Sequence, residues 1–503
     1  MRLSTTLVFL FAITLVGNAQ EKKAFFSNIH YQTEAGAYLS TSGQNAFWLR
    51  SNQYGTVPLE SQIATFRAGL WKDYTPKLKK NNDTSSNQTS NILHQTSKFT
   101  YGYGLQAVAN VGKANQILIP EAYFKMRYGA FEIYAGRRRE IFGLVDTTLS
   151  SGSYIWSGNA LPMPKVQISI PEYTSIIGHG LISIKGNYAH GWFGNQGMVK
   201  NYYLHQKSLY GRIGKPNWRV KMYGGFNHQV QWGGKPLEPY IEPQTGKLIT
   251  TFGNDFNSYL NVITGVSLNK NGNGLDLDGV PINDAWNRAG NHLGSADIGA
   301  EIELNKAKIL MYKHSFYEDG SLYYLSGVSD GLYGLSIAFK SKQKKSLTIN
   351  KICLEYFQTS NQGGNGGSGS IIPQLRGGDN YFNNSIYLDG WSYNKFIIGT
   401  SLLTPLSNIK ESLIGKYGLL NTTSIVNNHV QAWHLAMSGQ FKNLHFQSRI
   451  VNSKNIGFGN QFSFLQVAEY PYKKYTIVNK LGFDTGKLLN NGLSIYFGIR
   501  RSL

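Results

Sequence analysis

Between Phe99 and Val111 every second residue is apolar. Phe99, Tyr101, Tyr103, Leu105, Ala107, Ala109 and Val111 fall on one side. Thr100, Gly102, Gly104, Gln106 and Asn110 fall on the other, with Val108 the single exception. Side chains alternate faces along a strand, so this period predicts a strand with one apolar face and one small or polar face. The pattern repeats in the next pair. Ala122, Phe124, Met126 and Tyr128 oppose Glu121, Tyr123, Lys125 and Arg127, a turn follows at Gly129-Ala130, and Phe131, Ile133 and Ala135 then oppose Glu132, Tyr134 and Gly136. Charges that keep to one face over two consecutive strands imply a polar interior, which favours a barrel over a dry β-sandwich. Trp218 to Phe226, Ile298 to Leu304, Leu444 to Ile450, Ile477 to Phe483 and Ile495 to Leu503 follow the same rule. Counting such stretches gives about 16–20 strands, the size of large transmembrane barrels. Polar linkers separate them, among them Lys77 to Gln95, Asn269 to Asn291 and the low-complexity Asn361 to Ser370. No repeat of about 20–50 residues points to a propeller or solenoid.

The first residues differ from all that follows. Arg2, the apolar run Leu7 to Val16 and the small residues Gly17-Asn18-Ala19 read as a secretory signal peptide over 1–19, leaving 20–503 as one barrel. Beyond it no apolar run reaches the roughly 18 residues of a membrane-spanning helix. An exported chain that crosses with strands belongs in an outer membrane. Composition agrees. Charged residues are 15% of the chain, below the usual share of about 25%. Glycine contributes 56 residues, tyrosine 32, phenylalanine 26 and tryptophan 9, as a lipid-facing band with interfacial girdles requires. The mean hydropathy of −0.29 is too low for a bundle of membrane helices, whereas in a barrel only alternate residues need be apolar.

The formal net charge is +21, and +20 without residues 1–19, where Arg2 is the only charge. Export removes the nucleic-acid reading that such a balance otherwise invites. Acidic polysaccharide and the phosphates of lipopolysaccharide are the anions such a protein meets. The runs Lys77–Lys80 and Lys340–Lys345 read as solubilising loop charges. Cys353 is the only cysteine, which excludes an intrachain disulfide and a cysteine zinc site. Alternation points it away from the lipid-facing Ile352, Leu354 and Tyr356.

From Gly136 to Tyr173 the chain reads GRRREIFGLVDTTLSSGSYIWSGNALPMPKVQISIPEY, with shorter motifs at Phe47 to Gly55 (FWLRSNQYG), Tyr188 to Gly194 (YAHGWFG) and Asn291 to Asp297 (NHLGSAD). Over roughly Tyr31 to Leu503 it resembles the Wzi-like capsule-assembly family of outer-membrane proteins, in the form common among Bacteroidetes. The resemblance implies an all-β, antiparallel transmembrane barrel of about 18 strands with long extracellular loops. It also implies that the barrel binds capsular polysaccharide or exopolysaccharide and helps attach it to the cell surface. Two departures stand out. No helical bundle is evident between Gln20 and Phe99, where enterobacterial members carry one. The last residue is Leu503 instead of Phe, and Arg501 breaks the apolar face just before it. Arg501 is expected at the membrane interface, where such a charge costs only about 0–1 kcal/mol.

Three segments carry candidate chemistry. Arg137, Arg138 and Arg139 end a strand and open a long loop, with Glu140 next. Arginine forks grip carboxylates bidentately, so these residues are candidates for holding an acidic glycan at a barrel mouth. An internal ion-pair network with Glu121 and Glu132 is the competing reading. Tyr154, Trp156 and Asn159 offer aromatic faces and an amide, the groups that stack on and hydrogen-bond to sugars. Alternatively this loop folds into the lumen as a plug stiffened by Pro162 and Pro164. Asn271 to Asp284 looks faintly like a calcium loop but lacks the early acidic ligand and the distal Glu. No hydrolase, zinc-peptidase or phosphate-loop motif occurs. His434 and His445 fall on lumen faces of neighbouring strands with Arg449, the raw material of a barrel-embedded hydrolase. The expectation is a surface-polysaccharide-binding barrel without catalysis, cofactor or metal, its partners being acidic glycan, membrane lipid and lipopolysaccharide. A diffusion or glycan-export pore and a hydrolase are the alternatives. A filled lumen would argue for binding, an open one for a pore.

Overall fold

In a computed structural model the chain is described over residues 28–74, 99–243, 245–266, 268, 280–286, 288–318, 327–340, 346–363, 378–416 and 422–503. The expected signal peptide, the segment Lys77 to Gln95 and most of the calcium-like loop lie outside these residues. Eighteen strands form one sheet. The first nine are β1 His30–Ser40, β2 Ile63–Lys72, β3 Thr100–Gly112, β4 Gln116–Tyr128, β5 Phe131–Arg137, β6 Lys165–Ile177, β7 Ile182–Gly194, β8 Tyr202–Ile213 and β9 Val220–Trp232. The second nine are β10 Asn291–Glu303, β11 Ala307–Glu318, β12 Gly331–Phe339, β13 Leu347–Gln358, β14 Val430–Phe441, β15 Leu444–Asn455, β16 Gly459–Tyr472, β17 Tyr475–Gly486 and β18 Gly492–Ser502. Each pairs antiparallel with its neighbour in sequence, and β1 closes the sheet on β18 from Gln32↔Ser502 to Ser40↔Ser494. The result is a closed antiparallel barrel with no free edge.

Alternation places the strand side chains as expected. Phe124, Phe131 and Ile133 are exposed on the outer wall, while Glu121, Arg127, Glu132 and Cys353 are buried inside. Outward aromatic residues gather near both ends. Tyr128, Phe131, Phe441, Tyr472 and Tyr475 ring one end, and Tyr333, Tyr356 and Trp433 cluster towards the other. Trp433 and Phe441 share a face of β14, eight residues apart. At about 3.3 Å per residue and a tilt of about 40°, that spacing spans roughly 20 Å of membrane normal. The outer wall is therefore that of a membrane-spanning barrel. Arg501 lies at the aromatic end, 5.9 Å from the Tyr475 ring. No helix among the described residues is long and apolar enough to cross a membrane.

The two ends differ. β4–β5, β6–β7, β14–β15 and β16–β17 turn tightly at the end that also holds both termini of the sheet. The opposite end carries the long connections 41–62, 138–164, 233–290 and 359–429. In bacterial barrels the tight turns face the periplasm and the long loops the outside. Three of these long connections fold inward. The short helix α1, Phe47–Arg50, is buried throughout. Tyr154, Ile155, Phe382, Trp391 and Leu403 are as inaccessible, in one cluster with wall residues such as Phe316 and Phe357. Two cavities that remain in this packing are each about 10 Å³, near the size of a single water. The lumen is plugged.

The connection 233–290 behaves differently. Its helix α2, Phe256–Thr264, packs Val262 against the outward-facing Val230 and Trp232. Asp255 caps it by accepting from the Ser258 amide at 2.7 Å, and Gly265 ends it at φ +63°. Lys207 and Arg288 donate to the carbonyls of Ile263 and Gly265 at its C-terminus, where cations suit the helix dipole. The helix covers His205, His228 and His292 on the outer wall. His228 Nε2 lies 2.9 Å from His292 Nδ1, yet no metal-binding cluster exists among the described residues.

Candidate functional site: a clamped plug in the lumen

The plug is held by carboxylates that the wall strands point inward. Glu355 on β13 accepts from Ser150 Oγ and from the Ser151 amide, each at 2.6 Å. Asp297 on β10 accepts from the Leu144 amide at 3.0 Å. Glu318 on β11 accepts from the Phe382 amide at 2.6 Å, and Asp484 on β17 from the Phe47 amide at 2.8 Å. Asp330 takes the amides of Asn361 and Gln362 at 2.9 and 2.7 Å and the Tyr381 hydroxyl at 2.8 Å. Burial pushes the Asp330 carboxyl above its ordinary pKa despite these donors. Arg449 completes the set, donating to the carbonyls of Ser150 and Thr148 at 2.8 and 2.7 Å. A buried loop must satisfy its backbone groups, and here the wall does so.

Two of these clamps share one design. Across four adjacent strands, Tyr312, Gly334, Glu355 and His434 stand in register. So do Tyr210, Gly225, Asp297 and His314. In each set the glycine leaves room for the tyrosine ring, which crosses it: a Cβ on Gly334 would lie 2.1 Å from Tyr312, and one on Gly225 2.5 Å from Tyr210. The hydroxyls then donate to the acids, Tyr312 to Glu355 at 2.5 Å and Tyr210 to Asp297 at 2.7 Å. The histidines lie on the far side, His434 Nδ1 at 3.1 Å and His314 Nε2 at 3.6 Å from the acid. Both sets grip the segment 144–151.

Of the six residues with predicted glycan chemistry, three are core. Tyr154 is wholly buried, stacked 3.8 Å from Phe316 and 4.8 Å from Phe382. Trp156 packs edge-on to Trp391 and Phe142. Asn159 donates to the Ile397 carbonyl at 2.9 Å and accepts from the Asn52 amide at 3.1 Å. None presents a face to a sugar; the segment is the plug that the alternative reading described.

The arginines are not a rim at the outer mouth either. The chain reverses after β5, so Arg138 folds back down the lumen to Glu132 at 2.5 Å, with Glu140 at 3.8 Å. Burial alone would lower its pKa, and these two carboxylates more than reverse that. Glu140 also takes Lys165 at 2.7 Å and the Tyr134 hydroxyl at 2.6 Å. Burial favours its neutral form, but Lys165 and Arg138 hold its pKa below the ordinary value. Arg139 turns inward as well, donating to Gln106 and lying 4.8 Å from the Tyr54 ring. Its side chain leaves Nε buried without a partner. Arg137 reaches the Tyr393 hydroxyl at 3.0 Å. The structure thus joins Arg138 to Glu132 as the ion-pair reading expected, and adds Glu140 and Lys165.

The residues of the hydrolase alternative do not line up as nucleophile, base and acid. Ser150 donates to Glu355 and not to His434, whose Nε2 has no partner and whose ring packs 5.2 Å from Trp48. His445 is exposed on β15, six residues along that strand from Val451, the partner of His434, and near the tight turns.

No protein-family profile and no curated protein sequence matches the chain. Among solved structures, a triple mutant of the Rhodopseudomonas blastica porin is similar at 10% identity, covering 95% of this chain and 99% of the porin with a TM-score of 0.35. Salmonella typhi OmpF in complex with daunomycin is similar at 9% identity, covering 95% of this chain and 97% of OmpF with a TM-score of 0.40.

Proposed function

We propose that this barrel works in the outer membrane as a non-conducting holder of acidic surface polysaccharide, supporting capsule or exopolysaccharide attachment. The observation that carries the reading is the plug: three long connections are packed into the lumen and tied to wall carboxylates. A barrel built to pass solutes keeps a water-filled channel, whereas one filled by its own loops offers its outer surface and rim for binding. The strongly basic balance supports an anionic polymer. No catalytic step belongs to this reading. Deleting the gene should raise released polysaccharide and lower cell-bound polysaccharide, with total polymer unchanged; loss of total polymer would replace attachment with export. A pore is the second reading, favoured by a cavity of about 270 Å³ that the lumen keeps between the plug and the tight turns. Purified protein in planar bilayers should give no sustained conductance, and steady open channels would favour that pore.

A further inference from the structure

Below the plug, towards the tight turns, the lumen keeps a cavity of about 270 Å³ lined by Arg138, Arg139, Glu140, Ser169, Lys185 and Tyr210, among others. It approaches the lower limit of small-molecule sites, about 300 Å³. Its cations outnumber its acids, and the one carboxylate, Glu140, is already committed to Lys165 and Arg138. Lys185 has no carboxylate within ion-pair distance among the described residues. Its ammonium lies instead over two rings, 5.0 Å from Tyr173 and 5.4 Å from Tyr210. Arg212 stacks on the same Tyr173 at 5.4 Å and, among the described residues, donates only to Ser183, at 3.0 Å. Tyr223 packs 5.3 Å from Tyr173 and donates to Glu301 at 3.2 Å; Tyr173, Arg212 and Tyr223 adjoin the chamber beside Lys185 and do not themselves line it. Around this point several buried polar atoms lack a partner among the described residues: Ser169 Oγ, Tyr173 Oη and Arg212 Nε.

Such a set does not stabilise the barrel. A buried donor left unsatisfied costs about 1–3 kcal/mol, and Asp297, the carboxylate whose charge reaches Lys185, is already committed to the Tyr210 and Ser295 hydroxyls and the Leu144 amide. It suits a ligand that brings negative charge together with hydroxyls. We infer that this chamber is a binding site, entered from the periplasmic side, for a carboxylate-bearing sugar. Lys185 and Arg212 take the carboxylate, and Ser169 and Tyr173 take ring hydroxyls. The Tyr173 and Tyr223 rings supply apolar faces for the sugar's C–H groups. The chamber exceeds what a bare phosphate or sulfate fills, which favours a sugar. The choice of a sugar also rests on the proposed polysaccharide reading, but the site lies on the opposite side of the plug from the cell surface.

Full-length mature protein in detergent, titrated calorimetrically with an oligogalacturonate, tests this. The acidic oligomer should bind at least tenfold more tightly than a neutral glucan of equal length. Lys185→Gln with Arg212→Gln should weaken it at least tenfold, and raising salt should weaken it further. Tyr173→Phe keeps the ring, removes only the orphan hydroxyl and should weaken binding about threefold, which keeps the test valid if the double variant fails to fold. Displacement by equimolar inorganic phosphate would reduce the site to one for bare anions and overturn the sugar. Equal binding by wild type and both variants would overturn the site while leaving surface attachment standing. Attachment is decided separately, by cell-bound polymer in the deletion strain.

Discussion

Glu355→Ala is the sharpest test of how the plug is held. The carboxylate is 1% exposed and accepts from Ser150 Oγ, the Ser151 amide and Tyr312 Oη at 2.5–2.6 Å, with His434 at 3.1 Å. Removing one member of a buried charged set costs about 3–5 kcal/mol, because the donors left behind stay dry. The loss falls on segment 144–153, since the strand ladders on either side of Glu355 do not use its side chain. Local opening free energy should drop by that amount, and each 1.4 kcal/mol is tenfold in exchange rate, so roughly two to three and a half powers of ten are expected. Glu355→Gln keeps the volume and one acceptor oxygen; losing only charge assistance, it should cost about 1.5–3 kcal/mol. Amide hydrogen exchange on detergent-folded protein reads this at Leu149 and Ser151 directly. Amides of β13 and β14 should change less than threefold. Acceleration under tenfold at Ser151, or equal acceleration in the strands, would refute the clamp.

Three further outcomes follow from the same geometry. Arg138→Gln leaves Glu132 and Glu140 short of a cation inside the lumen and should destabilise the folded barrel by about 1–3 kcal/mol, read as a lower transition in heat-modified gel mobility; an unchanged transition would make the pair energetically idle. Gly136→Ala should impair folding by at least about 1–3 kcal/mol, because φ is +120° and a Cβ there would lie 2.1 Å from the Ala122 carbonyl oxygen; wild-type refolding yield would contradict this. Acid should loosen the plug late. Burial raises the pKa of Glu140 and of Asp146, but Lys165 and Arg138 more than offset it for the first, and Ser336, Lys351 and Thr148 for the second, so both end below their ordinary values. A depressed carboxylate contributes stability that is complete above its unfolded value of about 4 and is lost as pH falls through the folded value. Limited proteolysis of the plug should therefore match at pH 7 and pH 5 and rise only below about 4; a rise between 7 and 5 would point to other groups.

Lipid makes the wall legible from sequence. Every outward position of Phe99 to Gly136 must be apolar, so the alternation reports orientation residue by residue, and Phe124, Phe131 and Ile133 lie where it puts them. The bulge between Gln106 and Val108 keeps the parity of β3 but switches that of β4, where Leu118 and Pro120 face inward on one side of it and Glu121 on the other. Where the outward residues are small, the signal fades. β1 presents Thr33, Ala35 and Ala37 outward between Tyr31 and Leu39, and β2 presents Ala64 and Ala68 outward around Phe66 while Ile63 and Trp71 take the opposite parity, so the hydropathy contrast is too weak to mark either strand. Helix α2 escaped for a different reason: it lies on the outer wall of a barrel whose loops are otherwise polar, and its Phe256 and Leu260 remain exposed.

The plug obeys no period, so its chemistry had to be read from composition, and composition is ambiguous there. Tyr154, Trp156 and Asn159 are what a sugar platform needs, and equally what a packed lumen needs, because both ask for rings with a few amides between them. What separates the two is remote in sequence: Phe316 and Phe382 stack on Tyr154, and Glu318 donates no proton but accepts from the backbone beside them. The wall offers a better signal. An acid at a lumen position, with glycine opposite on one neighbouring strand and histidine on the other, occurs at Glu355 and again at Asp297. A tyrosine one strand further supplies the hydroxyl in both cases. Neither acid has a lysine or arginine directly across from it, so in a plain water-filled channel each would stand as a solvated charge. In a protein whose lumen must be filled, an acid with no cation across the ladder and a glycine beside it marks where foreign backbone docks. That four-strand pattern, more than the aromatic content of the loop, distinguishes a plugged barrel from an open one of the same size.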